Sequence, residues 1–279
     1  MLVSLVVATK GRTAELSRFL GSVAAQTHRS LEVIVVDQNA DERLQSILAP
    51  FQRMPLTRLE CEPGLSRARN KGLAVAKGEV IAFPDDDCWY APDVLQNVVN
   101  CLTDQPAWLG IAGRTMGEGD VRPLWSWDTH GGAVTRRNVW RRVNSNSMFL
   151  RRPVFEAGLR FDESLGVASG TPWGSAEEVD LILSAIQHGF NVQYVPEIVI
   201  HHKNVFPEQD EFEIAKAYRY ACGTGYVLRK HRYPLDFTAS RLLGPIAYML
   251  VALVSGHAYE MRFRAAVLRG RLRGLFGSG

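Results

Sequence analysis

Residues Val80 to Asp87 read Val-Ile-Ala-Phe-Pro-Asp-Asp-Asp, an apolar run that passes straight into three consecutive carboxylates. The apolar part reads as a buried strand. The acids then stand at its carboxyl end, the edge where open α/β sheets bind ligands. Three adjacent negative charges repel one another, so they need a solvated loop or a cation. Hard divalent ions such as Mg2+ or Mn2+ take oxygen ligands, and carboxylates at i and i+2 can share one ion or its bound phosphates. In isolation Asp-Asp-Asp fits a solvated turn better than a site, and it is the surrounding chain that reverses the balance.

Upstream, Val3 to Ala8 is a β-rich apolar run of the kind buried on both faces in parallel sheets. Thr9-Lys10-Gly11-Arg12 follows at its end and offers Lys, Arg and backbone N–H groups to an anion. Thr13 is placed to cap a helix in which Leu16, Phe19, Leu20 and Val23 recur at helical spacing. The loop is not a Walker loop and no Gly-x-Gly-x-x-Gly follows it, which argues against the usual ATP and dinucleotide folds. Leu31 to Val36 is a second buried strand, ending at Asp37. That carboxylate can accept from a nucleobase or ribose, or close an ordinary Asx turn. Asp41 can cap a helix through Leu44, Ile47 and Leu48, and Leu56 to Leu59 is a weaker strand.

Pro63-Gly64-Leu65-Ser66 opens a helix over Arg67 to Ala76, with Gly78 to end it. Its first turn carries Arg67 and Arg69, which either neutralise a diphosphate or stand at the surface. Strand and helix alternate roughly every 25 residues over about the first 90, the pattern of an α/β, doubly wound, mainly parallel sheet.

Composition bounds the rest. The 279 residues, 46% hydrophobic and 22% charged, suffice for one large α/β domain with an appendage. A net charge of +3 does not suggest nucleic-acid binding, and none is expected. Cys61, Cys88, Cys101 and Cys222 form no Cys-x-x-Cys pair, which disfavours a zinc or redox motif and suits a reducing cytosol. Cys88 is expected to pack rather than to bind metal. Leu2 to Ala8 is too short for a leader and has no basic residue before it.

Four segments together resemble the family 2 glycosyltransferases, which have the GT-A nucleotide-diphospho-sugar transferase fold. They are Val-Ser-Leu-Val-Val-Ala-Thr-Lys-Gly-Arg from Val3, Val-Ile-Val-Val-Asp from Val33, Gly-Leu-Ser-Arg-Ala-Arg-Asn-Lys-Gly-Leu from Gly64, and Gly-Glu-Val-Ile-Ala-Phe-Pro-Asp-Asp-Asp from Gly78. All occur in the family's order and spacing, and the resemblance covers about residues 1 to 205. It implies an inverting hexosyl transfer from a nucleotide-diphospho-sugar to a glycan or lipid-linked acceptor. UDP is the expected nucleotide, with GDP and dTDP open. Asp37 would contact the base, and Thr9, Lys10 and Arg12 would line the same pocket. Asp85 and Asp87 match the family's Asp-x-Asp, which binds the ribose and a Mg2+ or Mn2+ ion; Asp86 fills the middle place as a further donor-binding candidate, and a share in the metal stays open for it. Arg67 or Arg69 would help to position the diphosphate.

Further along, residues 117–142 lose periodicity and contain Trp125 and Trp127, whose rings can stack on sugars or anchor a core. Trp173 lies in a Gly-rich stretch that leads to Glu177-Glu178-Val179-Asp180. Acids at a helix N-terminus complement its dipole, and one can also be a general base for an acceptor hydroxyl. The resemblance aligns Glu178 with the base, in place of the family's usual Asp, with Glu177 as the other candidate. Neighbours on a helix face different ways, so only one can serve. Asp180 is expected to be structural or to support a neighbour. The strand from Asn191 to Ile200, with a bulge or edge at Pro196, ends in His201-His202. A histidine there is a metal ligand in some GT-A enzymes; His202 is the candidate carried forward, though sequence does not separate it from His201.

In the tail, Glu211 to Lys230 reads as a helix weakened by Gly223 and Gly225. Leu242 to Val254 is apolar but interrupted by Gly244-Pro245, and 13 residues cover only ~20 Å as helix, short of a membrane span. Met261 to Leu275 interleaves arginines with apolar residues, as basic helices on anionic membranes do. The expected organisation is a catalytic domain over 1–230, with about 1–115 binding nucleotide and about 116–205 binding acceptor, and a basic, apolar helical tail over 231–279. The expected location is cytoplasmic, at the inner face of the cell membrane. A non-catalytic carbohydrate- or membrane-binding protein on the same fold is the alternative, and it would predict loss of the carboxylates that are present.

Overall fold

The computed structural model describes residues 1–118, 126–203 and 208–277. They fall into two compact units, Met1–Pro63 with Arg67–Phe161 and Leu181–Asn204, and Gly64–Ser66 with Asp162–Asp180 and Val205–Gly279.

The first unit is built on a nine-stranded sheet. β1 (Val3–Thr9), β2 (Leu31–Asp37), β3 (Leu56–Glu60) and β4 (Val80–Ala82) are parallel neighbours in the order β3-β2-β1-β4. Such strands are buried on both faces, which is why Val3 to Val7 and Val33 to Val36 are continuously apolar apart from Ser4. The sheet continues through β8 (Met148–Arg151), β6 (Gly110–Met116), β9 (Val192–His202) and β5 (Cys88–Tyr90), while β7 (Gly132–Ala133) pairs with β9. The sheet is mixed, and parallel pairing accounts for most of its paired residues. This is the expected α/β class.

Helices α1 (Ala14–Ala24) and α4 (Val94–Asp104) bury Leu16, Phe19, Leu20, Val23, Leu95, Val98 and Leu102 in the core. The short α2 (Leu44–Leu48) contributes Leu44. In α3 (Leu65–Val75) a Cβ at Gly72 would collide with Val6 and Val36, so this glycine sets how closely helix and sheet approach.

Register then positions the edge. Thr9 pairs with Asp37 at the ends of β1 and β2, and Ala8 bridges to Asp85 just beyond β4. Three strand ends therefore meet at one carboxyl edge. β5, which the sequence does not announce, returns antiparallel along β9 and pairs Cys88 with His202 and Trp89 with His201. Pro196 lies at a register shift of β9 against β6, the expected bulge.

Several local expectations need correction. Thr13 occupies the N-cap of α1 but makes no side-chain cap. Asp41 accepts from Arg43 N and its guanidinium instead of opening a long helix, and α2 has only five residues. The strand expected over Asn144 to Leu150 starts only at Met148, because Ser145 to Ser147 form a single 3-10 turn capped by Asn144.

The second unit is helical: α7 (Glu211–Lys230), α8 (Leu235–Val254) and α9 (Ala258–Phe276). Asp210 caps α7 by accepting from Glu213 N. Gly223 and Gly225 do not interrupt α7. A Cβ on Gly225 would collide with the Arg271 backbone, and one on Gly274 with Cys222 O and Tyr226 N, so glycines let α7 and α9 touch backbone to backbone. α8 is also unbroken and runs 20 residues through Pro245. Proline has no N–H for the carbonyl four residues back, that of Arg241. That carbonyl instead accepts from Arg271 Nη1 of α9. α8 is thus longer than the apolar run that sequence alone marks out. It is apolar and long enough to cross a membrane by length and composition, and 11% of its most apolar window is buried.

Candidate active site

The acidic run is held in the turn between β4 and β5, and its three carboxylates point to different partners. Asp86 is buried and accepts from Thr9 Oγ1 at 2.7 Å and Arg12 Nη1 at 2.5 Å. Asp87 is bound by Arg12 Nη2 at 2.8 Å and by His202 Nε2 at 3.0 Å. Asp85 accepts from Arg69 Nη2 at 3.0 Å. Arg69 is 1% exposed and lies over the Phe161 ring, so its charge is fixed in place.

Asp85, Asp87 and His202 form the cluster whose ligand atoms all lie within 4.8 Å of one another. His202 Nδ1 lies 2.8 Å from the Lys203 carbonyl. A carbonyl can only accept, so Nδ1 carries a proton and Nε2 is the atom turned to the carboxylates. Two carboxylate oxygens and an imidazole nitrogen then converge, a donor set that suits a divalent ion. Asp86 turns away from this group towards Thr9 and Arg12.

The electrostatics agree with a site strained by its own charge. Burial pushes the Asp85 carboxyl up to about 6; Asp87 and Asp86 add to this, and Arg69 and His202 oppose it. Burial also raises Asp86 against the pull of Arg12 and Thr9. Burial would raise Asp87 too, but the hydrogen bond and charge of His202, with Arg12, outweigh it and leave Asp87 low. His202 is raised, because Asp87 overcomes the effect of burial. Cys88 is buried, donates to Asp85 O, and has its thiol pushed well up by burial, so it packs as expected.

At the neighbouring strand ends, Asp37 is 1% exposed. It closes an Asx turn by accepting from Asn39 N, and it accepts from Arg58 Nε at 2.9 Å. Arg58 and Asn39 are site residues that the sequence reading missed. The available signal was a charged residue, Arg58, inside the weaker strand Leu56 to Leu59. Arg58, Asn39, Glu60, Glu62 and Lys71 line an open cleft of about 410 Å³ beside Asp37.

The family model for glycosyl transferase family 2 matches residues 4–158, more than half of the chain. The chain belongs to glycosyl transferase family 2. Among curated relatives, the glucosyl-dolichyl phosphate glucuronosyltransferase of Haloferax volcanii is 27% identical over 229 residues, covering 76% of this chain and 72% of that protein. The succinoglycan biosynthesis protein ExoO of Rhizobium meliloti is 26% identical over 67% of this chain and 56% of its own. An uncharacterized glycosyltransferase of Nostoc is 31% identical, but the match spans only 32% of its length. Among solved structures, residues 1–349 of S. aureus TarS align over 98% of this chain and 91% of that one, with 15% identity and a TM-score of 0.64. The mannosyltransferase PcManGT of Pyrobaculum calidifontis, solved with GDP-Man and Mn2+, aligns over 98% and 87%, with 18% identity and a TM-score of 0.63. The likeness establishes a shared transferase fold.

The remaining residues singled out for this family 2 chain are placed as follows. Lys10 is exposed on the loop after β1. Arg67 is exposed and donates to Pro63 O, whereas Arg69 is the arginine that reaches the acids. His201 faces away from the acids in a stack in which Arg18 lies 3.4 Å over the Trp89 ring and Trp89 lies 5.6 Å from His201. Trp127 donates to Thr115 O and has one face stacked on Tyr194. Trp125 lies outside the described residues.

Trp173 needs correction as a sugar-stacking candidate. It is 2% exposed and packed against Tyr226, so its ring is a core residue of the second unit. Glu177 and Glu178 open α6 (Glu177–Gln187). Ala176 before them has φ 71°, a left-handed backbone that strains a non-glycine residue and sets the helix start. Glu177 is buried next to Gly166, and Glu178 is half-buried. Asp180 is buried between His231 Nε2 at 2.7 Å and Lys230 Nζ at 2.9 Å, the structural role expected of it.

Proposed function

We propose that this chain is an inverting, metal-dependent glycosyltransferase that moves a sugar from a nucleotide-diphospho-sugar to a glycan or lipid-linked acceptor. The observation that carries the reading is the convergence of Asp85, Asp87 and His202 at the carboxyl edge of a family 2 chain, with Arg12 and Arg69 fixed beside them. Asp85, Asp87 and His202 would hold Mg2+ or Mn2+, and the ion would supply Lewis-acid stabilisation of the leaving diphosphate. Thr9 and Arg12 orient Asp86 and Asp87, while Lys10, Arg12 and Arg69 supply positive charge for the donor phosphates. Asp37, set by Arg58 and Asn39, receives the base or ribose at the cleft beside it.

Glu178 takes the proton of the acceptor hydroxyl as that oxygen attacks the anomeric carbon, and the nucleotide diphosphate leaves with the bonding pair of the broken C–O bond. UDP is the nucleotide best supported, since TarS was solved with UDP-GlcNAc and with UDP; GDP is the next, from PcManGT. A lipid-linked acceptor is supported by the dolichyl phosphate in the name of the Haloferax relative and by the exposed apolar α8. That combination supports peripheral contact with the cytoplasmic face of a membrane.

The test is donor consumption by the full chain across UDP-, GDP- and dTDP-sugars. Glu178→Gln is expected to reduce turnover by about 10² to 10⁴-fold with nucleotide binding intact, as for loss of a general base. An equal loss confined to Glu177→Gln would move the base by one residue. A folded protein that consumes no donor would favour a non-catalytic binding protein.

A further inference from the structure

β6 and β9 run parallel, and beyond the bulge at Pro196 Arg114 pairs with Val199 and Met116 with His201. Side chains alternate along a strand, so these four share one face of the sheet. Thr115, which hydrogen-bonds to Asn146, and the core residues Ile198 and Ile200 take the other. Arg114, Met116, Val199 and His201 line an open cavity of about 260 Å³. The His201 ring stacks on Trp89 of β5. Nothing in the donor chemistry uses this cavity.

Arg114 is half-buried, and its Nε is shut off from solvent without a hydrogen bond. Among the described residues neither of its Nη groups makes a hydrogen bond, and it forms no ion pair. Arg12, Arg58 and Arg69 each hold a carboxylate; Arg114 holds none. The acids that act with it on the Tyr194 hydroxyl are Asp128 and Glu197. Asp128 is bound by Arg141 at 3.0 Å and by Arg142 at 2.7 Å, and Glu197 is exposed on β9. A partly desolvated guanidinium with unmet N–H groups is costly, and in folded proteins such groups are met by water, an ion or a ligand. Its planar fork fits a carboxylate or a phosphate.

We propose that this cavity is an acceptor subsite, in which the Nη groups of Arg114 bind the carboxylate or phosphate of an acidic sugar while Met116 and Val199 face its C–H side. The volume lies just under the ~300 Å³ of the smaller ligand pockets, room for one ring with its charged group rather than a chain. A neutral sugar leaves the guanidinium without an anion, so charge sets the preference. His201 and His202 are consecutive on β9, which puts the subsite beside the Asp85–Asp87–His202 cluster but on the other face of the strand. Donor and acceptor anions then do not share a cation: Arg12 and Arg69 serve the first, Arg114 the second. The assignment to the acceptor rests on the transferase reading; anion binding at Arg114 does not.

The experiment is ligand-observed NMR titration of the full chain, in chelator, with glucuronate, glucose 1-phosphate, inorganic phosphate and neutral glucose. Wild type is expected to bind glucuronate and glucose 1-phosphate at least ~10-fold more tightly than glucose, as for a charge-assisted hydrogen bond. Arg114→Met keeps the apolar stem and is expected to remove that preference, while Arg114→Lys keeps part of it. Anions held by Arg12 or Arg69 are common to all three proteins, so the difference between them reads Arg114. Circular dichroism serves as the fold control, and Arg114→Lys carries the comparison if Arg114→Met does not fold. Equal affinity of wild type for glucuronate and glucose, or an unchanged preference in a folded Arg114→Met, would overturn the proposal. Inorganic phosphate bound as tightly as glucose 1-phosphate would overturn its sugar. Donor consumption is read separately. A chain that binds these anions at Arg114 but uses no donor would refute the transferase reading, and the acceptor assignment with it. A chain that uses donor but shows no preference would refute the subsite alone.

Discussion

The carboxyl edge of the sheet and the α8–α9 pair treat charge in opposite ways. At the edge, each of three adjacent acids faces a cation: Asp85 has Arg69, Asp86 has Arg12, and Asp87 has Arg12 and His202. In the helical pair, Glu260 binds Arg264, while Arg241 lies over the Phe237 ring, Arg264 over the Tyr248 ring, and Arg271 donates to a backbone carbonyl. The edge is a closed network that must exchange partners to admit a ligand. The helical pair holds its guanidiniums against aromatic faces and a backbone carbonyl as well as an acid.

The largest effect expected from breaking this contrast is at Arg69. Arg69→Met removes the cation from the Asp85 pair and leaves an acid beside two like charges. It should destabilise the fold by about 2–4 kcal/mol, somewhat less than a fully buried pair because Asp85 retains some contact with solvent. Denaturant unfolding measures this, and a loss below the error of the fit would show that the edge does not depend on internal neutralisation.

The second effect is a pH dependence. In the free protein His202 is raised and Asp85 sits at about 6, so protons compete with a metal for both. Mn2+ affinity should fall as pH drops from about 8 towards 6, by up to about tenfold per unit for each proton displaced. His202→Gln should be weaker at pH 8 and should flatten that slope; an unchanged slope would remove His202 from the ligand set. The smallest effect is expected outside both regions, at the Asp162–Lys230 pair. Burial works to raise Asp162, but the Lys230 and Ser164 hydrogen bonds prevail and leave its carboxyl below the usual range. A lowered acid stabilises above its unfolded pKa, near 4, and loses that contribution as pH falls through the folded value. Asp162→Asn should therefore cost less than about 1 kcal/mol at pH 7 and nothing at pH 2.

Much of the carboxyl edge was legible because its signals are local. An apolar run followed by Asp85-Asp86-Asp87, and Asp37 after Val33 to Val36, mark strand ends by themselves. What the three acids do was not legible. Arg12 is drawn to Asp86 and Asp87 by the parallel register that brings the ends of β1 and β4 together. His202 and His201 differ only by the two-residue alternation of β9, which β5 fixes, and β5 is too short to announce itself. Arg58 reaches Asp37 through pairing of β2 with β3, again a long-range fact. Trp173 in a Gly-rich stretch looked available for a sugar, and only the packing of Tyr226 shows it to be core. In α8 the proline argued for a break, and the compensating donor, Arg271, lies 30 residues beyond the Arg241 carbonyl it binds.

The most direct test of the central claim is calorimetric titration of the full chain with UDP, GDP and dTDP, with Mn2+ or Mg2+ and with chelator, beside Asp87→Ala. The account predicts binding of one nucleotide that requires the metal and is lost in the variant. Binding that persists in chelator, or survives Asp87→Ala in a folded protein, would contradict a metal-held donor at Asp85, Asp87 and His202.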